Sequence, residues 1–157
     1  MTWLTLAPQA RLLFYLRAFT RLVVFWVPVT VFAATMLASQ VGLTSAFGGA
    51  AAWLFVQFLA ALWMPALSFE RWAYAVRERD LLIARGVLFR VVTAIPLQRI
   101  QHVDVRQGPI EQWLGLSQVQ ISTASGAGAD GVIQGLTTAT AEALRDRLVA
   151  ASGDDGV

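Results

Sequence analysis

Leu22–Leu43 reads LVVFWVPVTVFAATMLASQVGL, Gly48–Phe69 reads GGAAAWLFVQFLAALWMPALSF, and neither stretch holds a charged side chain. Each runs to about 20 residues, which at about 1.5 Å per helical residue crosses a hydrocarbon core of about 30 Å. A soluble core helix is the bland alternative, and it rarely stays uncharged for so long. The two stretches predict a transmembrane helical hairpin over 22–69, joined by a short uncharged loop around Thr44–Phe47. A cleaved signal peptide would have a shorter apolar region and no second span a few residues later.

The flanks set the orientation. Arg11, Arg17 and Arg21 precede the first span, and Arg71, Arg77 and Arg79 follow the second. Arginine beside both outer ends puts both flanks on the cytoplasmic face of the membrane, with only the small loop across it. Hydrophobic residues make up 57% of the 157-residue chain and charged residues 14%, well below the roughly 25% charged of a soluble domain. The net charge of +2 hides a gradient: Met1–Arg21 carries +3, Glu70–Arg99 carries +3, and Ile100–Val157 carries −4. Positive charge beside the apolar stretches suits a membrane surface, whereas nucleic acid requires a basic stripe on the folded domain.

Within the hairpin, Pro28 can kink the first helix, which membrane helices tolerate. Ala34 and Ala38, and Gly48 and Ala52, have the small-xxx-small spacing that lets helix backbones approach. Gln57 lies near mid-membrane, level with Thr30 and Thr35. It suits a hydrogen bond within the hairpin or a contact to a second membrane subunit. Ahead of the spans, 1–21 reads as a cytosolic or interfacial segment, with a helix starting near Pro8.

From Arg71 the periodicity changes. Trp72, Tyr74 and Val76 alternate with small residues as in a half-buried strand, and Arg77 and Arg79 share the opposite parity. An Arg77–Asp80 turn leads into Leu81–Arg85, Gly86 breaks the run, and Val87–Ile95 continues it. Arg99–Gln107 forms another strand, with Gln101, Val103 and Val105 on one face and Ile100, His102, Asp104 and Arg106 on the other. Gly108-Pro109 marks a turn, followed by a helical turn over Ile110–Leu116 closed by Gly115. Val119, Ile121 and Thr123 alternate again. Ser125–Gly131 reads as a hairpin loop; it lacks the Gly-Lys-Ser/Thr ending of a phosphate loop. Val132–Leu136 is a strand, Thr138–Ala150 a helix with Ala141, Leu144 and Leu148 along one side, and Ser152–Val157 a polar tail. The fold class expected is an α+β membrane protein: the hairpin, then a bent antiparallel sheet over 70–151 capped by a C-terminal helix.

These residues carry a resemblance. Ile95-Pro-Leu-Gln-Arg-Ile-Gln101, Val103-Asp-Val105, Gln107-Gly-Pro-Ile-Glu111, Leu114-Gly-Leu116, Thr123-Ala124, Gly135-Leu136 and Ala141-Glu-Ala-Leu-Arg145 resemble the bacterial pleckstrin-homology (PH) domain family. The whole chain is similar to its YdbS-like membrane branch, in which two spans precede one such domain. Gln112 departs from the basic residue expected after Glu111, and Gln134 stands where proline often precedes Gly-Leu. The resemblance implies a PH-like fold at the cytosolic membrane face. It also implies a companion, a larger membrane protein with several PH-like domains.

The sequence gives little to catalysis. The chain has no cysteine and a single histidine, His102, which excludes disulfides, thiolate nucleophiles and two-histidine metal sites. No glycine-rich nucleotide fingerprint is present, and neither metal nor cofactor is expected. The leading expectation is a non-enzymatic assembly subunit, its candidate partner surface Arg99, His102, Asp104, Arg106 and Trp113. Contact with anionic lipid head groups through Arg77, Arg79, Arg85 and Arg90 is the alternative. Self-association stays open.

Overall fold

A computed structural model of the chain describes residues 3–123 and 130–153. The chain forms two compact units. One comprises Met1–Leu13 with Ser68–Val157, and the other Phe14–Leu67. The expected hairpin loop over Ser125–Gly131 falls mostly outside the described residues, as does the tail beyond Gly153.

The second unit is the hairpin. Helix α1 (Ala10–Arg21) runs into a wide π-helical turn at Leu22–Trp26 and then into α2 (Val27–Val41). The wide turn ends where the Val27 amide donates to the Leu22 carbonyl, just ahead of Pro28. Proline has no amide to donate and its ring crowds the carbonyl four residues back, so the ladder widens upstream of it. Helix α3 (Leu43–Glu70) follows after Gly42 alone. The connection expected at Thr44–Phe47 is therefore helical, and the turn is made by Gly42 at φ +85°.

The helix surfaces are apolar all round: Val24, Phe32, Phe55 and Trp63 are more than half exposed. A water-facing helix would carry polar residues there, whereas lipid-facing helices look like this. Ala34 and Ala46 are both buried and line an apolar cavity of about 360 Å³ together with residues of α2 and α3. The expected Gly48–Ala52 pair is exposed on the outside of the hairpin instead. Trp26 and Trp53 meet edge to face, ring centroids 6.1 Å apart.

The first unit holds the sheets. Strands β1 (Leu4–Thr5), β2 (Ala73–Val76), β3 (Asp80–Arg85) and β4 (Val91–Pro96) form an antiparallel sheet in that order. Strands β5 (Ile100–Arg106), β6 (Leu116–Thr123) and β7 (Gly131–Thr137) form a second, with the short helix α4 (Pro109–Leu114) between β5 and β6. Helix α5 (Thr138–Gly153) closes the domain. The alternation read from sequence holds, with Val119, Ile121 and Ile133 fully buried, and Ala141, Leu144 and Leu148 face inward from α5 as expected. The two sheets meet closely: a Cβ on Gly131 would lie 2.6 Å from Ile95 Cδ1 and 2.8 Å from Ile83 Cδ1. A side chain there would have to displace both isoleucine tips from a packed interior.

The N-terminal segment, expected as a separate cytosolic or interfacial piece, is part of this domain. Leu4 pairs with Tyr74 and Thr5 with Ala73. Leu6, Ala10 and Leu13 are buried, and the Ala7 amide donates to the Gly135 carbonyl at 3.0 Å. The domain is thus discontinuous in sequence, with the hairpin inserted between its first and second strands.

Candidate functional site

Three of the five candidate partner residues share a face. His102, Asp104 and Arg106 are exposed on β5 and stand opposite Ser122, Gln120 and Gln118 of β6. Asp104 and Arg106 form an exposed ion pair at 3.5 Å. Ile100 does not join them. The β5–β6 register shifts between Ile100 and His102, and the extra residue at Gln101 is a bulge that rotates Ile100 to the buried side. Arg99 belongs to the single 3₁₀ turn Leu97–Arg99 before the strand, exposed but off the strand face. Trp113 lies on α4 and is 76% exposed, so its indole does not pack beneath the turn that carries it.

The four candidate lipid-contact arginines divide into two pairs. Arg77 and Arg79 lie in the tight turn between β2 and β3, not on a strand face, and the Arg77 amide donates to the Asp80 carbonyl at 2.8 Å. The side chains of Arg77 and Asp80 also pair at 3.6 Å. Arg85 stands at the other end of β3, opposite Val91, and Arg90 precedes Val91. The length of β3, about 3.3 Å per residue, separates the pairs.

Gln57 is half-buried on α3. The hydroxyl of Thr30 donates to the Trp26 carbonyl and that of Thr35 to the Phe32 carbonyl, both at 2.7 Å. Such back-bonding satisfies each threonine within its own helix. The hydrogen bond expected between Gln57 and these threonines is therefore not made.

One polar cluster was not legible in the sequence. The Gln107 side-chain amide donates to the Leu116 carbonyl at 3.0 Å, Ser117 Oγ at 2.8 Å and Thr138 Oγ1 at 2.9 Å. Ser117 is fully buried, and its hydroxyl donates to Thr138 Oγ1 at 3.1 Å. One side chain thus ties the exit of β5 to the starts of β6 and α5, and every partner is satisfied. Nearby, Glu111 is buried on α4 and its carboxylate lies over Gly108, where a Cβ would meet Oε2 at 2.6 Å. The Gln107-Gly-Pro-Ile-Glu111 run is therefore a structural joint. Among the described residues, no cluster of three or more His, Cys, Asp or Glu side chains is placed to hold a metal ion.

An apolar helical hairpin inserted into a small two-sheet domain closed by a C-terminal helix defines a membrane protein with a PH-like domain. The chain belongs to the bacterial PH domain family, whose model matches residues 12–152. It is similar to the UPF0699 transmembrane protein YdbS of Bacillus subtilis (strain 168), with 32% identity over 108 residues. That alignment covers 67% of this chain and 66% of YdbS, just under two thirds of the relative. No solved structure matches the chain.

Proposed function

We propose that this is a non-enzymatic membrane protein whose PH-like domain docks on a partner membrane protein at the cytosolic face. Exposure of Trp113 carries the reading. The domain buries Trp72 and Tyr74 yet leaves this indole in solvent, and tryptophan in the open is the residue type that anchors protein interfaces. The polar row His102, Asp104 and Arg106 supplies a rim for such a contact. The partner implied by the family resemblance is a larger membrane protein with several PH-like domains. Gln57, with no hydrogen bond to another described residue, suits a contact within the bilayer. Co-purification from native membranes in mild detergent tests the proposal: a specific partner is expected, and a strictly monomeric, partner-free protein overturns it.

Membership of residues 3–13 and 68–153 in one folded unit supports a multi-pass topology with both ends on one side. The arginines beside both spans make that side the cytosolic face of the bacterial inner membrane.

A second reading is contact of the domain with anionic head groups. It is favoured by Arg85 and Arg90, both exposed at the end of the sheet where the chain arrives from α3. Each arginine near an anionic surface gains about 1 kcal/mol, screened by salt.

A further inference from the structure

We infer that the β3–β4 loop, Gly86–Arg90, is a membrane wedge that inserts Leu88 and Phe89 into the lipid surface. The inference deepens the lipid-contact reading, changing its chemistry from head-group attraction alone to apolar insertion.

Four observations converge on this loop. Leu88 and Phe89 are each 82% exposed, the most exposed large apolar side chains among the described residues. Adjacent aromatic and aliphatic side chains held in solvent at a loop tip mark an interaction site, because a folded domain otherwise hides them. Val91 and Val92, which follow, are about half exposed, so the apolar surface continues onto β4. Arg85 and Arg90 bracket the tip, and an apolar tip with cationic shoulders matches the lipid interface, acyl chains below and phosphates above.

The loop also lies where the chain leaves α3. Arg71, immediately after α3 ends at Glu70, donates from Nη1 to the Val87 carbonyl. Ala73 at the start of β2 pairs with Ala84, one residue before Arg85. The loop and the residue that leaves the second membrane-crossing helix are thus pinned together within one unit. The Arg77–Arg79 turn is at the far end of the same strands. The loop's shape is set by Gly86 at φ +113°, where a Cβ would strike the Phe89 carbonyl oxygen. Glycine at that position holds the next residues in a tight bend that leaves two large side chains uncovered.

The absence of cysteine makes a site-specific test direct. Leu88→Cys, Phe89→Cys and the control Glu78→Cys in the full-length protein are each labelled with an environment-sensitive fluorophore. Each is then reconstituted into phosphatidylcholine vesicles with or without phosphatidylglycerol. The expected result is blue-shifted emission at 88 and 89, quenched several-fold by spin-labelled lipid and little by aqueous iodide, with the opposite pattern at 78. Insertion of apolar side chains persists in neutral vesicles and in high salt. Labels at 88 and 89 that respond to iodide as the label at 78 does overturn the wedge. Labels shielded from both iodide and spin-labelled lipid overturn it in favour of a protein contact. Head-group attraction fails separately, if phosphatidylglycerol and salt leave the depth of the labels unchanged.

Discussion

The amide of Ala7 donates to the carbonyl oxygen of Gly135 at 3.0 Å, joining the segment ahead of the hairpin to the last strand of the domain. Gly135 has φ +71°, and a Cβ on it would lie 2.5 Å from the Ala10 Cβ. The start of α1 is seated against β7 with room for a hydrogen and nothing larger. Because β1 also pairs with β2, residues 3–13 touch both sheets, and the domain is incomplete without them.

Gly135→Val combines backbone strain with overpacking against Ala10, and each of these costs about 1–3 kcal/mol. We expect a loss of about 2–6 kcal/mol in domain stability, read as a lowered unfolding midpoint of the full chain in detergent. Gly48→Ala, at a helical glycine with nothing within 4 Å of its added Cβ, leaves the midpoint within about 0.5 kcal/mol.

Segments that share one fold must lie on one side of the membrane. Thr5→Cys and Ala139→Cys, both at exposed positions, are expected to react with an impermeant maleimide from the cytosolic face. Thr44→Cys is expected to react from the opposite face. Labelling of positions 5 and 139 from opposite faces contradicts the topology.

Asp130 accepts hydrogen bonds from the Thr123 hydroxyl at 2.6 Å and the Thr123 amide at 2.7 Å. These bonds favour the ionised carboxylate and hold its pKa below the ordinary 3.8. A depressed folded-state pKa means the contribution is complete above the ordinary value and is lost as pH falls through the lowered one. Amide hydrogen exchange at Thr123, followed during acid titration, should show the end of β6 loosening locally below about pH 4. Asp130→Asn should be less stable at neutral pH and lack that acid-dependent step.

The Asp104–Arg106 pair is exposed on both sides, and such pairs contribute about 0–1 kcal/mol. Asp104→Ala and Arg106→Ala are expected to leave the unfolding midpoint nearly unchanged while lowering partner recovery several-fold. A parallel loss of stability and recovery would mean that this face serves the fold alone.

The sequence exposed what repeats and hid what is local. Two long uncharged stretches announce the spans, and alternation at Val119, Ile121 and Thr123 announces a half-buried strand. Strand β1 has two residues, too few for any period, and its partner β2 lies beyond the whole hairpin. The bulge at Gln101 inverts the parity of Ile100, because one inserted residue exchanges the faces of a strand. Residues 87–90 have the composition of a strand, yet Gly86 bends them into a loop, so strand β4 starts at Val91. Alternation assigns Arg77 and Arg79 to a strand face, whereas β2 ends at Val76 and both lie in the turn before β3, the length of that strand away from Arg85. The Gln107 joint was invisible because its partners come from two segments distant in sequence, the starts of β6 and α5.

Docking of the domain on a partner membrane protein can be read out with a photo-crosslinking amino acid at position 113 in native membranes. One predominant crosslinked membrane protein is expected, identified by mass spectrometry and lost when the crosslinker is moved to position 78 in the far turn. Crosslinks to lipid alone, or the same products from both positions, would contradict it.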